Sequence, residues 1–162
     1  YQKAEQGMSI DELCEWIRAS ASMPLVSRIV EIGGRKLLDG GVSDSIPLRY
    51  FQEIGFQRNV VILTQPRNYV KQPTSFMPFM RLALRKYPHM LSALMHRHEM
   101  YNAQLRYLEE QEKLGQTLVI APERKLKINH TSHDPAIMQE VYDMGKQQGL
   151  AELNRIKAFL FA

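Results

Sequence analysis

The sequence lacks the features of a secreted or membrane-spanning protein. Its 162 residues include one cysteine, Cys14, so an intramolecular disulfide is excluded and a reducing compartment is favoured. No apolar run approaches the roughly 18 residues that a membrane span needs. The opening residues are polar and show no signal-peptide pattern. We therefore expect a cytoplasmic protein that is at most peripheral to a membrane.

Several catalytic signatures are also absent. A serine hydrolase of the α/β type needs Gly-x-Ser-x-Gly on a strand-to-helix turn, and the chain does not contain that motif. Residues 41–45 come close but end in Ser45, and they follow a hairpin instead of a buried strand. His130 and His133 have no cysteine or clustered carboxylate beside them, so we expect neither a metal nor another cofactor.

A β-hairpin is predicted in the first third of the chain. Residues 26–32 roughly alternate apolar and polar side chains, as a half-buried strand does. Gly33 and Gly34 suit a two-residue type I′ turn, in which both positions need a positive φ. Residues 36–38 then form the returning strand.

The hairpin ends at Asp39-Gly40-Gly41, which is the main candidate site. Glycines allow the backbone to turn where a Cβ would clash, so Asp39 is predicted on a sharp turn at the carboxyl end of a strand. Open α/β sheets bind ligands at that end of their strands. Alternatively, Asp39 is a turn aspartate that only bonds its own backbone, which is common for Asp before Gly.

The remaining pattern predicts an α/β fold. Residues 59–63 and 117–121 are short and almost entirely apolar, as in parallel strands buried on both faces. Helices are predicted after a Ser9–Glu12 capping box, over 78–86 and 88–114, and from Pro135, with Gly149 separating a last helix. We expect three parts: a motif-bearing core (1–66), a helical insertion (74–115), and a last strand with a helical tail (117–162).

The first helix has one apolar stripe. Ile10, Leu13, Cys14 and Ile17 fall at i, i+3, i+4 and i+7. Because Cys14 lies on this stripe, it is predicted to be a core residue and not a reactive thiol.

The order of these motifs resembles the second half of patatin-like phospholipases. A small-residue run at 19–22 and Pro24 precede the hairpin, and Asp-Gly-Gly-x-x-Asp-x-x-Pro ends at Pro47. The resemblance covers residues 17–47 well and the remainder only loosely. Two positions depart from the family pattern: Leu37 stands where an aromatic is common, and Ser45 where asparagine is common.

The resemblance implies a function and a site. Asp39, followed by Gly40 and Gly41, would be the base partner of a serine nucleophile in a lipid acyl hydrolase, on a three-layer α/β/α fold. The serine and the glycine-rich oxyanion loop would belong to a missing amino-terminal half, so this chain alone would be inactive. Its open sheet edge would pair with that half or with a second copy. The alternative is a non-catalytic lipid-surface or protein-binding module on the same scaffold.

A basic stretch over residues 58–106 is the second candidate site. It contains eight Lys or Arg and one acid, Glu99, a net charge of +7. Either it is a solvated helix face, or Arg81, Arg85 and Lys86 meet anionic lipid headgroups beside the apolar residues of 76–80. The cations are not interleaved with aromatics as on a base-stacking surface, so no nucleic-acid partner is expected.

Overall fold

The computed structural model describes residues 1–2, 7–75, 77–129 and 132–161. The elements in chain order are α1 (Ile10–Ser20), β1 (Val30–Ile32), β2 (Arg35–Leu37), a 3-10 helix (Gly40–Val42), α2 (Leu48–Glu53), β3 (Asn59–Ile62), α3 (Met77–Ala83), α4 (Pro88–Lys113), β4 (Thr117–Ile120) and α5 (Pro135–Phe161). This mixed content is compatible with the predicted α/β class. The chain forms two compact units, residues 1–46 with 71–104 and residues 47–70 with 105–162.

Helix α1 begins as predicted but does not bury its apolar stripe. The Ser9 hydroxyl accepts a hydrogen bond from the Glu12 N–H at 3.1 Å, which confirms the Ser9 cap. Ile10 and Ile17 are 80% and 59% exposed, and Cys14 is exposed too. The prediction of Cys14 as a core residue is therefore wrong. The buried residue of the helix is Ala19, near its carboxyl end, so the apolar stripe is left outside the packing.

The hairpin has the predicted turn and a shorter first strand. Strands β1 and β2 pair antiparallel with Ile32 opposite Arg35, and Gly33 and Gly34 have φ values of 57° and 72°. Both positive values confirm the glycine turn. The strand was predicted from residue 26, but it begins at Val30. Residues 23–27 form a turn instead, in which Leu25 has φ 69° and so leaves the extended conformation.

The first unit has a small apolar core beside the hairpin turn. Val42 of the 3-10 helix, Leu84 and Leu94 are buried together, and Met80 and Tyr87 pack around them. Helix α4 covers nearly the predicted residues, while α3 ends three residues earlier than predicted. The core therefore joins the residue that follows Asp39-Gly40-Gly41 to the α3–α4 segment.

The second unit contains the parallel strand pair β3–β4. Asn59 lies opposite Thr117 and Ile62 opposite Ile120. All four residues of β4 are buried, as predicted. Burial of β3 on both faces is wrong, because Ile62 is 72% exposed and the other three residues of the strand are only half-buried.

Helix α5 is one continuous helix. The Asp134 carboxylate accepts a hydrogen bond from the Ala136 N–H at 2.9 Å and so caps the helix, which begins at Pro135 as predicted. The predicted break at Gly149 is wrong: the helix runs to Phe161. An interior glycine costs only about 1 kcal/mol relative to alanine, which the remaining turns of a 27-residue helix offset. No described residue of α5 is buried.

Candidate active site

Asp39 lies two residues after β2 and caps the 3-10 helix. Its Oδ1 accepts a hydrogen bond from the Gly41 N–H at 2.7 Å, and its own N–H donates to the Ser22 carbonyl at 2.7 Å. The residue is half-buried. Among the described residues, no hydrogen bond or ion pair involves its second oxygen, Oδ2. One carboxylate oxygen is thus fixed by the turn, and the other is open to a proton donor.

The small-residue run at the end of α1 packs against this turn. Ala19 and Ser22 are buried, and the Ser22 hydroxyl donates to the Arg18 carbonyl at 2.7 Å. A Cβ on Gly40 would lie 3.5 Å from the Ser20 hydroxyl oxygen. The structure therefore brings together the two sequence features that the family resemblance links, the Ala/Ser run and Asp-Gly-Gly.

The two glycines have different surroundings. A Cβ on Gly41 would lie only 3.0 Å from Asp39 Oδ1, whereas the nearest atom to a Cβ on Gly40 is at an ordinary contact distance. Neither glycine has a positive φ. Gly41 is therefore required because a side chain there would collide with the Asp39 carboxylate. At Gly40 a small side chain would fit, so glycine is not strictly needed.

Two side chains of α4 hold the loop that follows Asp39. Arg97 Nε donates to the Gly41 carbonyl at 2.9 Å. Gln104 accepts from the Ile46 N–H at 3.0 Å through Oε1 and donates to the Asp44 carboxylate through Nε2. Arg97 and Gln104 are seven residues apart, which is two helical turns and places them on one face. Sequence reasoning missed both, because this spacing alone does not connect them to residues 41–46.

Lys71 approaches the same part of α4. Its N–H donates to Asn102 Oδ1 at 2.9 Å, and its ammonium lies 5.4 Å from the centre of the Tyr101 ring. Burial lowers the pKa of the Lys71 ammonium, and the positive charge of Arg97 lowers it further. The first unit therefore holds two cations of the basic stretch close to one another.

Arg81, Arg85 and Lys86 lie on the surface of the first unit. All three are exposed, at the end of α3 and in the turn after it. Phe79 and Leu82 beside them are also exposed, by 62% and 68%. The surface thus combines cations with apolar side chains; Phe76 lies outside the described residues.

The described residues contain neither a metal cluster nor a membrane span. No group of three His, Cys, Asp or Glu in this part of the chain is placed to hold a metal ion, and His130 lies outside it. No described helix has the length and apolar character needed to cross a bilayer.

Comparison with protein families gives two partial matches. Residues 2–51 match the family model of patatin-like phospholipases. Residues 87–161 match the model described as a domain of unknown function (DUF6363). No curated protein and no solved structure matches the chain significantly. The first match supports the resemblance to a family of lipid acyl hydrolases, and its span includes Asp39. Arg97 and Gln104 fall within the second match.

Proposed function

We propose that this chain is part of a patatin-like lipid acyl hydrolase in which Asp39 is the base of a Ser–Asp dyad. The observation that carries the proposal is the state of the Asp39 carboxylate. Oδ1 is bonded to the Gly41 N–H, while Oδ2 has no partner among the described residues. The family match over residues 2–51 supplies the chemical class.

The proposed mechanism uses the carboxylate oxygen Oδ2 of Asp39. A serine hydroxyl within hydrogen-bond reach of Oδ2 would pass its proton to Asp39 while the serine oxygen attacks an ester carbonyl. The alcohol leaves with the proton, and an acyl-enzyme remains. Water then attacks the acyl-enzyme with Asp39 again accepting a proton, which releases the fatty acid and restores the serine.

The nucleophile is proposed to lie in an amino-terminal half outside this chain. The 162 residues contain no Gly-x-Ser-x-Gly and no glycine-rich oxyanion loop. The β3–β4 pair supports the same proposal, since parallel strands normally belong to larger sheets covered on both faces. Each strand of this pair has one edge without a strand partner among the described residues. The three-layer α/β/α arrangement would be completed by strands from that half.

The chain by itself is therefore expected to be inactive and to associate. Its unpaired strand edges would bind the missing half or a second copy of the chain. Size-exclusion chromatography with light scattering and an esterase assay test both points on the isolated chain. A monomer would contradict the association, and serine-dependent hydrolysis would contradict the location of the nucleophile.

The basic surface of Arg81, Arg85 and Lys86 is proposed as the contact with lipid headgroups. Exposed cations beside exposed Phe79 and Leu82 fit the interface of an anionic membrane, where apolar side chains enter and cations stay at the headgroups. We accordingly propose a cytoplasmic, membrane-peripheral location and a lipid ester as substrate.

A non-catalytic module is the second candidate function. The bond from the Gly41 N–H to Asp39 Oδ1 favours it, because this is what a purely structural turn aspartate makes. In that case the scaffold would bind a lipid surface or another protein without performing hydrolysis.

Replacement of the base separates the two candidates. In the full-length protein, Asp39→Asn keeps the shape of the side chain but cannot accept the serine proton, so turnover of a soluble ester should fall by roughly 10²–10⁴-fold. Glu31→Gln is the matched control, because Glu31 is an exposed carboxylate of the same hairpin. Turnover above about a tenth of wild type in Asp39→Asn would be too high for loss of a general base and would exclude Asp39 from that role.

A further inference from the structure

We infer that Arg97 of α4 is a positioning residue that fixes the Asp39 turn for catalysis. The inference rests on the proposed role of Asp39 as the base. Arg97 lies within residues 87–161, which match the domain of unknown function. The inference therefore assigns a role in the active site to that segment.

Both backbone polar groups of Gly41 are bonded to side chains. Its N–H donates to Asp39 Oδ1 at 2.7 Å, and its carbonyl accepts from Arg97 Nε at 2.9 Å and from the Ser45 hydroxyl at 2.6 Å. The two peptide planes that meet at the Gly41 Cα are thus held from both sides. If the Arg97 bond is lost, the Ser45 hydroxyl alone still holds the Gly41 carbonyl. The backbone at Gly41 is then fixed less firmly, and so is the amide that orients the Asp39 carboxylate.

The Arg97 guanidinium also faces the carboxylate across the glycine. A Cβ on Gly41 would lie 3.0 Å from Asp39 Oδ1 and 3.6 Å from Arg97 Nη2. Both charged groups therefore border the same small space, and a glycine keeps it free. Arginine suits this position because its donors form a rigid planar fork, whereas lysine has a single flexible ammonium.

Gln104 extends the same support along the loop. It binds the Ile46 N–H and the Asp44 carboxylate, five and three residues beyond Gly41. Two side chains on one face of α4 thus hold both ends of the segment 41–46. A structural anchor would make the same contacts, so the test must measure turnover separately from stability.

The experiment uses the full-length protein with four variants. These are Arg97→Ala, Arg97→Lys, Arg106→Ala and Asp39→Asn. Arg106 is the matched control, because it is an exposed arginine of the same helix that has no hydrogen bond to residues 39–46 in the described structure and is not one of the three proposed lipid contacts. For each variant, kcat and KM on a short-chain p-nitrophenyl ester are measured together with the midpoint of thermal unfolding.

We expect Arg97→Ala to lower kcat by roughly 10- to 100-fold, the effect of a misplaced catalytic group, while KM for the small ester stays within about twofold. Arg97→Lys should recover part of kcat, since the ammonium can still donate to the Gly41 carbonyl. Arg106→Ala should match wild type.

The outcomes separate the inference from the proposed function. If Asp39→Asn is inactive and Arg97→Ala has the kcat of wild type, the inference is wrong and the proposed function stands. If Asp39→Asn keeps its turnover, the proposed function itself fails. If activity in Arg97→Ala falls only in proportion to the folded fraction, Arg97 is a structural anchor and the inference is wrong.

If the Arg97→Ala protein does not fold, Arg97→Lys tests the inference in its place. A stably folded Arg97→Lys protein with reduced kcat supports the inference, and one with wild-type kcat overturns it. Amide exchange gives an independent reading on that variant: the Gly41 N–H should exchange faster than in wild type, and an unchanged rate would also overturn the inference.

Discussion

The two units use their polar side chains for different purposes. In the first unit, Arg97 and Gln104 bind backbone and side-chain atoms of one short loop, residues 41–46. In the second unit, Gln52 of α2 bonds Tyr107 and Gln111 of α4, so these contacts join two helices. The loop residue Arg67 donates to Glu112 of α4 in the same unit. Contacts between elements secure a fold, whereas several contacts to one loop fix individual atoms. In the first unit, two side chains of α4 therefore converge on the one loop that follows Asp39.

Replacing one buried leucine in the core of each unit gives the largest expected effect on stability. Leu84 of the first unit and Leu108 of the second are 5% and 2% exposed. Either Leu→Ala change should lower the free energy of unfolding by about 2–5 kcal/mol. Only Leu84→Ala should also lower kcat while the protein is folded, because Leu84 packs with Val42 next to the Asp39 turn. Urea unfolding and ester turnover of the full-length protein measure both, and equal loss of kcat in the two variants would remove the distinction.

Charge reversal on the basic surface of the first unit gives the second-largest expected effect, a loss of vesicle binding. Replacing Arg81, Arg85 and Lys86 by Glu should weaken binding to anionic vesicles, since each cation near such a surface contributes about 1 kcal/mol. Hydrolysis of a small soluble ester should be unchanged. Vesicle co-sedimentation measures the loss of binding.

The second unit supplies the matched control for that experiment. Reversal of three of its exposed cations changes the net charge equally; these are Lys113, Arg124 and Lys125. Equal loss of vesicle binding in both triple variants would mean that overall charge, and not the α3 surface, attracts the membrane. Unchanged vesicle binding after reversal at 81, 85 and 86 would contradict the lipid contact. The basic stretch would then be interpreted as a solvated helix face.

Two adjacent glycines provide a sharper local contrast. Gly41→Ala places a Cβ 3.0 Å from Asp39 Oδ1, so the carboxylate must move and weaken its bond to the Gly41 N–H. We expect a loss of about 1–3 kcal/mol in unfolding free energy, as for overpacking, and a lower kcat. Gly40→Ala should leave both nearly unchanged, because its Cβ meets only the Ser20 hydroxyl at 3.5 Å. Paired denaturation and turnover measurements would contradict this if the two variants behaved alike.

The smallest expected effect is a pH dependence in the second unit. Arg67 Nη2 donates to Glu112 Oε1 at 2.8 Å, and this bond holds the pKa of the Glu112 carboxyl below its ordinary value of 4.5. A lowered pKa in the folded state adds stability above pH 4.5, and the gain is lost as the pH falls through the folded pKa. For this partly exposed pair we expect about 0.2–1 kcal/mol.

Glu112→Gln removes the titrating group and tests that expectation. The variant should unfold more easily than wild type at pH 7, and the difference should shrink as the pH approaches 3. Urea midpoints at both pH values measure it. Glu110→Gln, an exposed acid on the same helix, is the control. A difference that does not change with pH would assign the effect of Glu112→Gln to packing instead of charge.

Local patterns in the sequence predicted local structure well. The glycine pair at 33–34 predicted the hairpin turn because positive φ is a property of single residues. The apolar run at 117–121 predicted a buried strand, which the structure has at 117–120. The long helix was predicted over 88–114 and is observed over Pro88–Lys113. Asp39 was predicted on the turn that the structure describes, although its proposed role as a base came from the family resemblance.

Properties that depend on distant packing were not predictable. The stripe that includes Cys14 has the spacing of a buried face, but burial requires a partner surface, and α1 has one only near Ala19. Glycine is typical of helix ends, which is why a break was predicted at Gly149. The α-helix nevertheless continues through this residue. Arg97 looked like one cation among eight, because its contact with Gly41 spans 56 residues of sequence.

The exposed apolar stripe of α1 carries a cysteine that can be labelled to detect when the stripe becomes covered. Cys14 is its only cysteine, it is exposed, and it stands beside the exposed Leu13 and Ile17. A nitroxide attached to this thiol would tumble freely while the stripe faces water and would slow when a surface covers it. Electron paramagnetic resonance of the labelled chain, mixed with vesicles or with its proposed other half, would then show which of them covers α1, without any engineered substitution.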